Sequence, residues 1–347
     1  MPSIRLAAQG PTGLADRMTA IFELDVHDDR ALREFHDVEV AALRAAFPHQ
    51  VIRTFDALKM VREPSPYHRR ILLVARDEEA TVGVADIGLS LGDNQHLASV
   101  EVQVAPERQR EGIGRALYDA AASRCRQEGC TTVAGEANVA AGMTDEEGPA
   151  YAFAVAMGAR SVHEEVHLLL DLPASPPVPP AEPDWQVVTW LNHCPPEYVT
   201  AYCEMRTQMD NDVPRGELDY QPHVFDEQRL RVQEARVARL YHQIVAVARR
   251  EADGVLGGYS VVFLPFGETY AHQDDTLVMP AHRGRRLGSR LKLATLEIIS
   301  RDHPERTVIH TWTDPDNHAM QRTNRTFGFR PVDRMHEMQA TIAPARG

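Results

Sequence analysis

The chain has 347 residues, four cysteines and a formal net charge of −13. That length favours two domains over one. The charge argues against nucleic acid as a partner, since no basic stripe with interleaved aromatics occurs, and no apolar run approaches the length of a membrane span. The first residues, Met1 to Leu6, lack the apolar stretch of a signal peptide. Cys125, Cys130, Cys194 and Cys203 form no Cys-x-x-Cys pair, so no metal site or redox motif is expected and a reducing cytoplasm is the simple expectation.

In chain order, 21–24 reads as a strand and 29–46 as a helix, followed by strand signals at 70–75, 81–89 and 98–104. The last strand runs into the turn Pro106-Glu107-Arg108-Gln109-Arg110-Glu111-Gly112-Ile113-Gly114-Arg115. Ala116, Leu117, Ala120, Ala121 and Cys125 then recur at helical spacing. A strand, a glycine-bearing turn and a helix start make an anion site, because free N–H groups and the macrodipole point there. Gly112 and Gly114 permit close backbone approach, and Arg110 and Arg115 add positive charge. The three-glycine dinucleotide fingerprint and the Gly-Lys-Ser/Thr phosphate loop are both absent. An ordinary strand-to-helix turn is the alternative reading.

The stretch 173–183 is rich in proline and reads as a stiff spacer after a strand at 167–172. A fresh strand follows at 185–190, then helices at 196–209 and 225–240 and strands at 243–248, 257–263 and 275–279. The turn layout then recurs. Arg283 falls on Gln109, Gly288 on Gly114, Pro280 on Pro106 and Leu291 on Leu117, while Arg286 stands where the first copy has Gly112. A repeat this long means duplicated domains. A strand from His310 ends in a turn at Asn317, and a helix at 319–327 closes on Gly328, which suits a left-handed C-cap. Strands with helices on both faces give a mixed α/β sheet.

The spacing Gln109-x-x-Gly112-x-Gly114 after a strand resembles the pyrophosphate-binding signature of the GNAT family of acyl-CoA-dependent N-acetyltransferases. The turn at Asn317, the short helix and the Gly328-Phe329 ending resemble its later segments. The resemblance covers nearly the whole chain and is sharp at these motifs. It implies two tandem GNAT domains, 1–172 and 185–347, joined by the linker 173–184, similar to two-domain members of the mycothiol-synthase and antibiotic-modifying kinds.

The resemblance further implies acetyl-CoA as co-substrate. Gln109, Arg110, Gly112, Ile113, Gly114 and Arg115 would hold it in the first half. Arg283, Gly284, Arg286, Leu287, Gly288, Ser289 and Asn317 would hold it in the second. Backbone groups of Val102, Val104, Thr276 and Val278 would line the pantetheine arm where the fourth strand splays from the fifth. Asp275 and Glu101, aligned on the two fourth strands, are candidate bases, with Glu136 and His310 as further candidates. Solvent-facing strand residues are the alternative reading of both carboxylates. Many members carry a tyrosine as general acid four residues before the helix-ending glycine. Here that position is Asn324, and Ala154 before Gly158 in the first half, which leaves Tyr151, Tyr259 and Tyr270 as other candidates.

The segment 205–219 reads as irregular and acidic, and Asp210, Asp212, Glu217 and Asp219 would attract a cationic acceptor or form a solvated loop. The expected activity is acetyl transfer to a primary amine of a small molecule, with chemistry in the second half. A non-catalytic acyl-CoA-binding module and a protein or peptide N-acetyltransferase are the competing readings. A monomer or homodimer without membrane or nucleic-acid partners is expected.

Overall fold

The computed structural model describes residues 19–47 and 49–342, so the reading of Met1 to Leu6 lies outside the described residues. The first run of elements is β1 (Ala20–Glu23), α1 (Asp29–Ala46), α2 (Phe55–Lys59), β2 (His68–Asp77), β3 (Ala80–Ser90), β4 (Leu97–Val104), α3 (Ile113–Gln127), β5 (Thr132–Ala140), α4 (Pro149–Ala156) and β6 (Arg160–Asp171). The second is β7 (Trp185–Leu191), α5 (Val199–Asp212), α6 (Glu227–Val237), β8 (Tyr241–Arg250), β9 (Leu256–Pro265), β10 (Tyr270–Val278), α7 (Leu287–Asp302), β11 (Val308–Thr313), α8 (His318–Phe327) and β12 (Arg330–Thr341). This is the expected mixed α/β class.

Two compact units result. Unit 1 holds the described parts of Met1–His163, Arg215–Gln221 and Met335–Gly347, and unit 2 holds Glu164–Pro214 and Pro222–Arg334. Strands β6 and β12 therefore each contribute one part to one unit and the rest to the other.

In unit 1 the strands run β1-β2-β3-β4-β5, with the later part of β12 beside β5. Asp28 starts α1 by accepting from the N–H groups of Arg30 and Ala31, and Ala31, Leu32, Phe35, Val38 and Ala42 bury one stripe of it. On another helix, α3, the buried stripe is Ile113, Leu117, Ala121 and Cys125. Leu117 is wholly buried among Ala85, Ile87 and Val100. Truncating such a leucine to alanine costs about 2–5 kcal/mol.

In unit 2 the order is β6-β11-β10-β9-β8-β7. Its α5 buries Val199, Tyr202, Cys203 and Met205, and α7 buries Leu287, Leu291, Leu296 and Ile299. The segment 205–219 departs from the expected irregular loop. Met205 and Arg206 pack inward, and the helix continues through Asp212. Glu217 and Asp219 belong to unit 1, where Glu217 pairs with Arg160 and Asp219 meets His96 and Thr132. The four acids thus do not form one acceptor loop.

Candidate active site

Each unit contains a pair of neighbouring parallel strands that part early. In unit 1, β4 pairs with β5 over Leu97, Ala98 and Ser99, although β4 continues to Val104. In unit 2, β10 pairs with β11 over Tyr270, Ala271 and His272 and continues to Val278. Beyond those pairs the parallel register ends, and strand edges released from a neighbour can bond an extended chain. The residues named for pantetheine, Val102, Val104, Thr276 and Val278, lie along these parted stretches. One difference separates the units. Strand β10 carries a bulge between Gln273 and Thr276, whereas β4 pairs with β3 without interruption. A bulge re-aims side chains and backbone groups and is common beside active sites.

The two turns converge on one geometry. Gly112 caps α3 in the left-handed region, at φ 86°, without a side-chain cap. Arg286 caps α7 at φ 55° and ψ 22°, again without one. The first N–H groups of both helices are thus left for an outside acceptor. Arg286 retains the loop shape despite its side chain, at a cost of roughly 1–2 kcal/mol for an L-residue in that region. Gln109 donates from its amide to the Val104 carbonyl at 3.3 Å, and Arg283 donates to the equivalent Val278 carbonyl at 3.1 Å. Both side chains close the turn onto the end of the strand. Arg283 also pairs with Asp212 at 2.7 Å, so Asp212 belongs to this turn, while Asp210 pairs with His223 at 3.3 Å.

Arg286 is exposed, so its guanidinium is available to a phosphate in solvent. Arg286→Gly should therefore relieve backbone strain yet weaken CoA binding in unit 2 about tenfold, the worth of one charge-assisted hydrogen bond of roughly 1.5 kcal/mol. Calorimetric titration checks this; tighter binding in the variant would mean that the side chain crowds the phosphate.

The first unit gathers carboxylates behind its gap. Asp86 is clamped by Arg53 and Arg70, each at 2.7 Å, and Arg53 also holds Glu39 at 2.7 Å. Glu101 lies opposite Asp86 in the β3–β4 register. Burial and then Asp86 push its carboxyl up, against Arg70 and Arg53. Glu136 is pushed up to about 7 by burial, then by Glu101 and Glu337. Both Glu101 and Glu136 retain exposed surface, so solvent reaches them despite the crowding that raises their carboxyls.

In the second unit the bulge spans Asp274 and Asp275. Tyr259 donates its hydroxyl to Asp275 at 2.8 Å, and Arg206 lies 3.8 Å from the same oxygen. Burial and then Asp274 push the Asp275 carboxyl up to about 6, against Arg206 and the Tyr259 hydrogen bond. Asp274 is raised chiefly by burial. A carboxylate with that poise takes a proton near neutral pH more readily than an ordinary aspartate. The Tyr259 phenol is pushed well up by burial and then by Asp275, so it serves as a hydrogen-bond donor. Burial also raises the Tyr270 phenol. Tyr151 packs edge-on against His336.

Asn324 and Asn317 have structural duties. Asn324 is 1% exposed; its oxygen accepts from Lys292 at 2.8 Å and its amide donates to Thr313 at 2.9 Å. Such an amide has no proton to give up near neutral pH. Asn317 caps α8 by accepting from the Met320 N–H at 3.1 Å.

Sequence reasoning missed Lys292, which is 4% exposed; its signal was a charged residue in the apolar stripe with Leu296 and Ile299. Burial lowers its amine to about 7. An unfolded lysine titrates at about 10.4. Between those values the unfolded chain binds the extra proton, so stability should rise with pH over that window. Lys292→Met should abolish that rise, as read from denaturant midpoints at the two ends of the window; persistence of the rise would locate its origin elsewhere. Arg206 and Asp274 were also missed, since neither stands out without the fold.

The acetyltransferase (GNAT) family pattern matches residues 32–142 and 207–329, and the chain belongs to that family as a tandem member. It is similar to a tandem GNAT protein from the clavulanic acid biosynthesis pathway, solved without acetyl-CoA. The identity is 30% and the TM-score 0.79, over 94% of this chain and 99% of that one. A GCN5-related N-acetyltransferase from Sphaerobacter thermophilus shares the fold at 16% identity and TM-score 0.67, over 96% and 98% of the two chains. So does a putative acetyltransferase from Pyrococcus horikoshii, at 13% identity and TM-score 0.55, over 98% and 95%. Among curated proteins none matches the chain.

Proposed function

We propose that the chain transfers the acetyl group of acetyl-CoA to a primary amine of a small molecule, with the chemistry in unit 2. The observation that supports this reading is the bulged β10, whose register with β11 ends at His272 and which carries Asp275, with its raised carboxyl, within the bulge beyond that point. The uncapped helix starts of α3 and α7 suit the pyrophosphate, and the strand edges at Val102, Val104, Thr276 and Val278 suit the pantetheine amides.

Asp275 would take the proton of the acceptor's ammonium, leaving a neutral amine to attack the thioester. Arg206 and Tyr259 orient that carboxylate. Asp210 and Asp274 add negative charge on the same unit and favour a cationic acceptor. In unit 1 Glu101 has no such bulge beside it, which supports binding of CoA there rather than turnover. The segment 173–184 remains our choice for the covalent linker between the duplicated halves, which exchange strand segments on folding. No helix among the described residues is long and apolar enough to cross a membrane. The four cysteines are free and buried, which suits a reducing compartment.

Release of CoA thiol by the full chain across a panel of primary amines tests the reading. Amine-dependent release is the expected result. Tight acetyl-CoA binding without release for any amine would favour the non-catalytic module, and release with peptide amines alone would favour the protein acetyltransferase.

A further inference from the structure

Close to the parting strands of unit 2 runs a buried chain of titratable side chains. Asp333, on the unit 2 part of β12, lies 2.7 Å from His167 Nδ1. His167 Nε2 lies 3.0 Å from His310 Nδ1. The three residues are 5%, 1% and 6% exposed in that order. The His167 ring lies flat on Trp312, with centroids 4.3 Å apart and planes within 3°. His310 is paired with His272 at the last position before β10 and β11 separate. His272 stands edge-on to Trp312 at 5.1 Å. Burial and then His167 lower it to about 4, against Asp275, so it is neutral at neutral pH and feels both ends of the row.

For a neutral His167 the hydrogen bonds set the direction of the chain. A carboxylate only accepts, so His167 carries its proton on Nδ1 and accepts at Nε2. His310 then donates from Nδ1, and Nε2 is its proton-accepting nitrogen. A proton arriving at His310 Nε2 displaces the Nδ1 proton onto His167 Nε2. His310 ends neutral in the other tautomer, and His167 becomes an imidazolium beside the Asp333 carboxylate.

We propose that Asp333, His167 and His310 form a buried proton relay that draws off the proton released when the site at Asp275 acetylates an ammonium group. The inference rests on the acetyl-transfer reading above. That reaction turns an ammonium and a thioester into an amide, a thiol and one proton. Asp275 takes the proton first and passes it to His310 Nε2, the relay holds it as the His167 imidazolium, and the relay resets when His167 Nε2 returns a proton to His310 Nδ1 and His310 Nε2 releases one to solvent after the product leaves. Around the two imidazoles stand Tyr270, with its ring 5.5 Å from His310, His272 on β10, Glu165 two residues along β6, and Asp333. The buried carboxylate of Asp333 is the group that holds a positive charge on His167.

The test uses the full chain with His167→Phe, which keeps a ring on Trp312, and Asp333→Asn. Each should lower kcat by about tenfold or more and leave the KM for acetyl-CoA unchanged. Added imidazole buffer should restore the rate in proportion to its concentration, because a small external base replaces the relay; a merely structural lesion would not respond. Full activity in both variants, or a loss that imidazole does not repair, overturns the relay. Nitrogen NMR of labelled histidine in the unsubstituted protein gives a second measurement that needs no turnover. A proton on Nδ1 of His167 is expected, and a neutral His167 protonated on Nε2 overturns the wiring. Absence of acetyl transfer to any amine would instead remove the functional reading and leave the NMR result to decide the hydrogen-bond chain.

Discussion

Asp275→Asn should lower kcat by about a hundred- to ten-thousand-fold at neutral pH, the usual worth of a positioned general base. CoA affinity should change little, because the pyrophosphate turn and the strand edges are untouched. In the unsubstituted enzyme the rate should fall as pH drops through about 6, where the Asp275 carboxyl takes up its proton. The variant should lose that limb of the profile and recover partly at high pH, where more of the amine is already neutral. Stability separates lost chemistry from lost fold. Because burial raises this carboxyl above its ordinary value of 3.8, ionising it disfavours the folded state as pH climbs through that window. Asparagine carries no such cost, and its oxygen still accepts from Tyr259. The melting temperature at neutral pH should therefore not drop. A variant with full activity would remove Asp275 from the mechanism.

Gly114→Asp is the second large effect. A Cβ at Gly114 would meet the Phe153 ring at 3.3 Å and the Val104 side chain at 3.6 Å. The added carboxylate would then sit at the uncapped start of α3, where partial positive charge awaits an anion. CoA binding in unit 1 should weaken at least thirtyfold, on the order of 2 kcal/mol. Calorimetry of the full chain is the measurement, since unit 1 includes described residues from Met335 onward, at the far end of the sequence. The isotherm should lose its unit 1 component and keep that of unit 2. An unchanged isotherm would mean that the turn does not hold the phosphate.

The turns were legible because their residues are local: two glycines, a polar closing side chain and an apolar helix stripe sit within a dozen positions. The 29–46 helix was legible for the same reason, with a capping Asp28 and a buried stripe at helical spacing. The strand exchange was not. Whether Met335 or Arg334 joins a given unit depends on which distant strand it pairs with, and both read as ordinary strand residues. The proline-rich stretch marks a break in composition, but contacts divide the chain within β6, at His163 and Glu164.

The candidate site shows the same split. Asp275 could be aligned with Glu101, yet the bulge that distinguishes their strands depends on the register with β9. Asn324 was read from its place before Gly328. Its partner Lys292 lies 32 residues away on another helix, so only the folded chain reveals a buried node in that position. The acidic run at 205–219 looked like one feature because charge is visible in sequence. Packing of Met205 and Arg206 splits it between a helix end and a segment of the other unit.

The central claim is that unit 2 does the chemistry, and the most direct test of it is the turnover of Glu101→Gln in the full chain. The account predicts kcat and acceptor KM equal to those of the unsubstituted enzyme, since Glu101 stands on an unbulged strand. A fall of about a hundredfold or more in this variant, with Asp275→Asn fully active, would contradict the account and move the active site to unit 1.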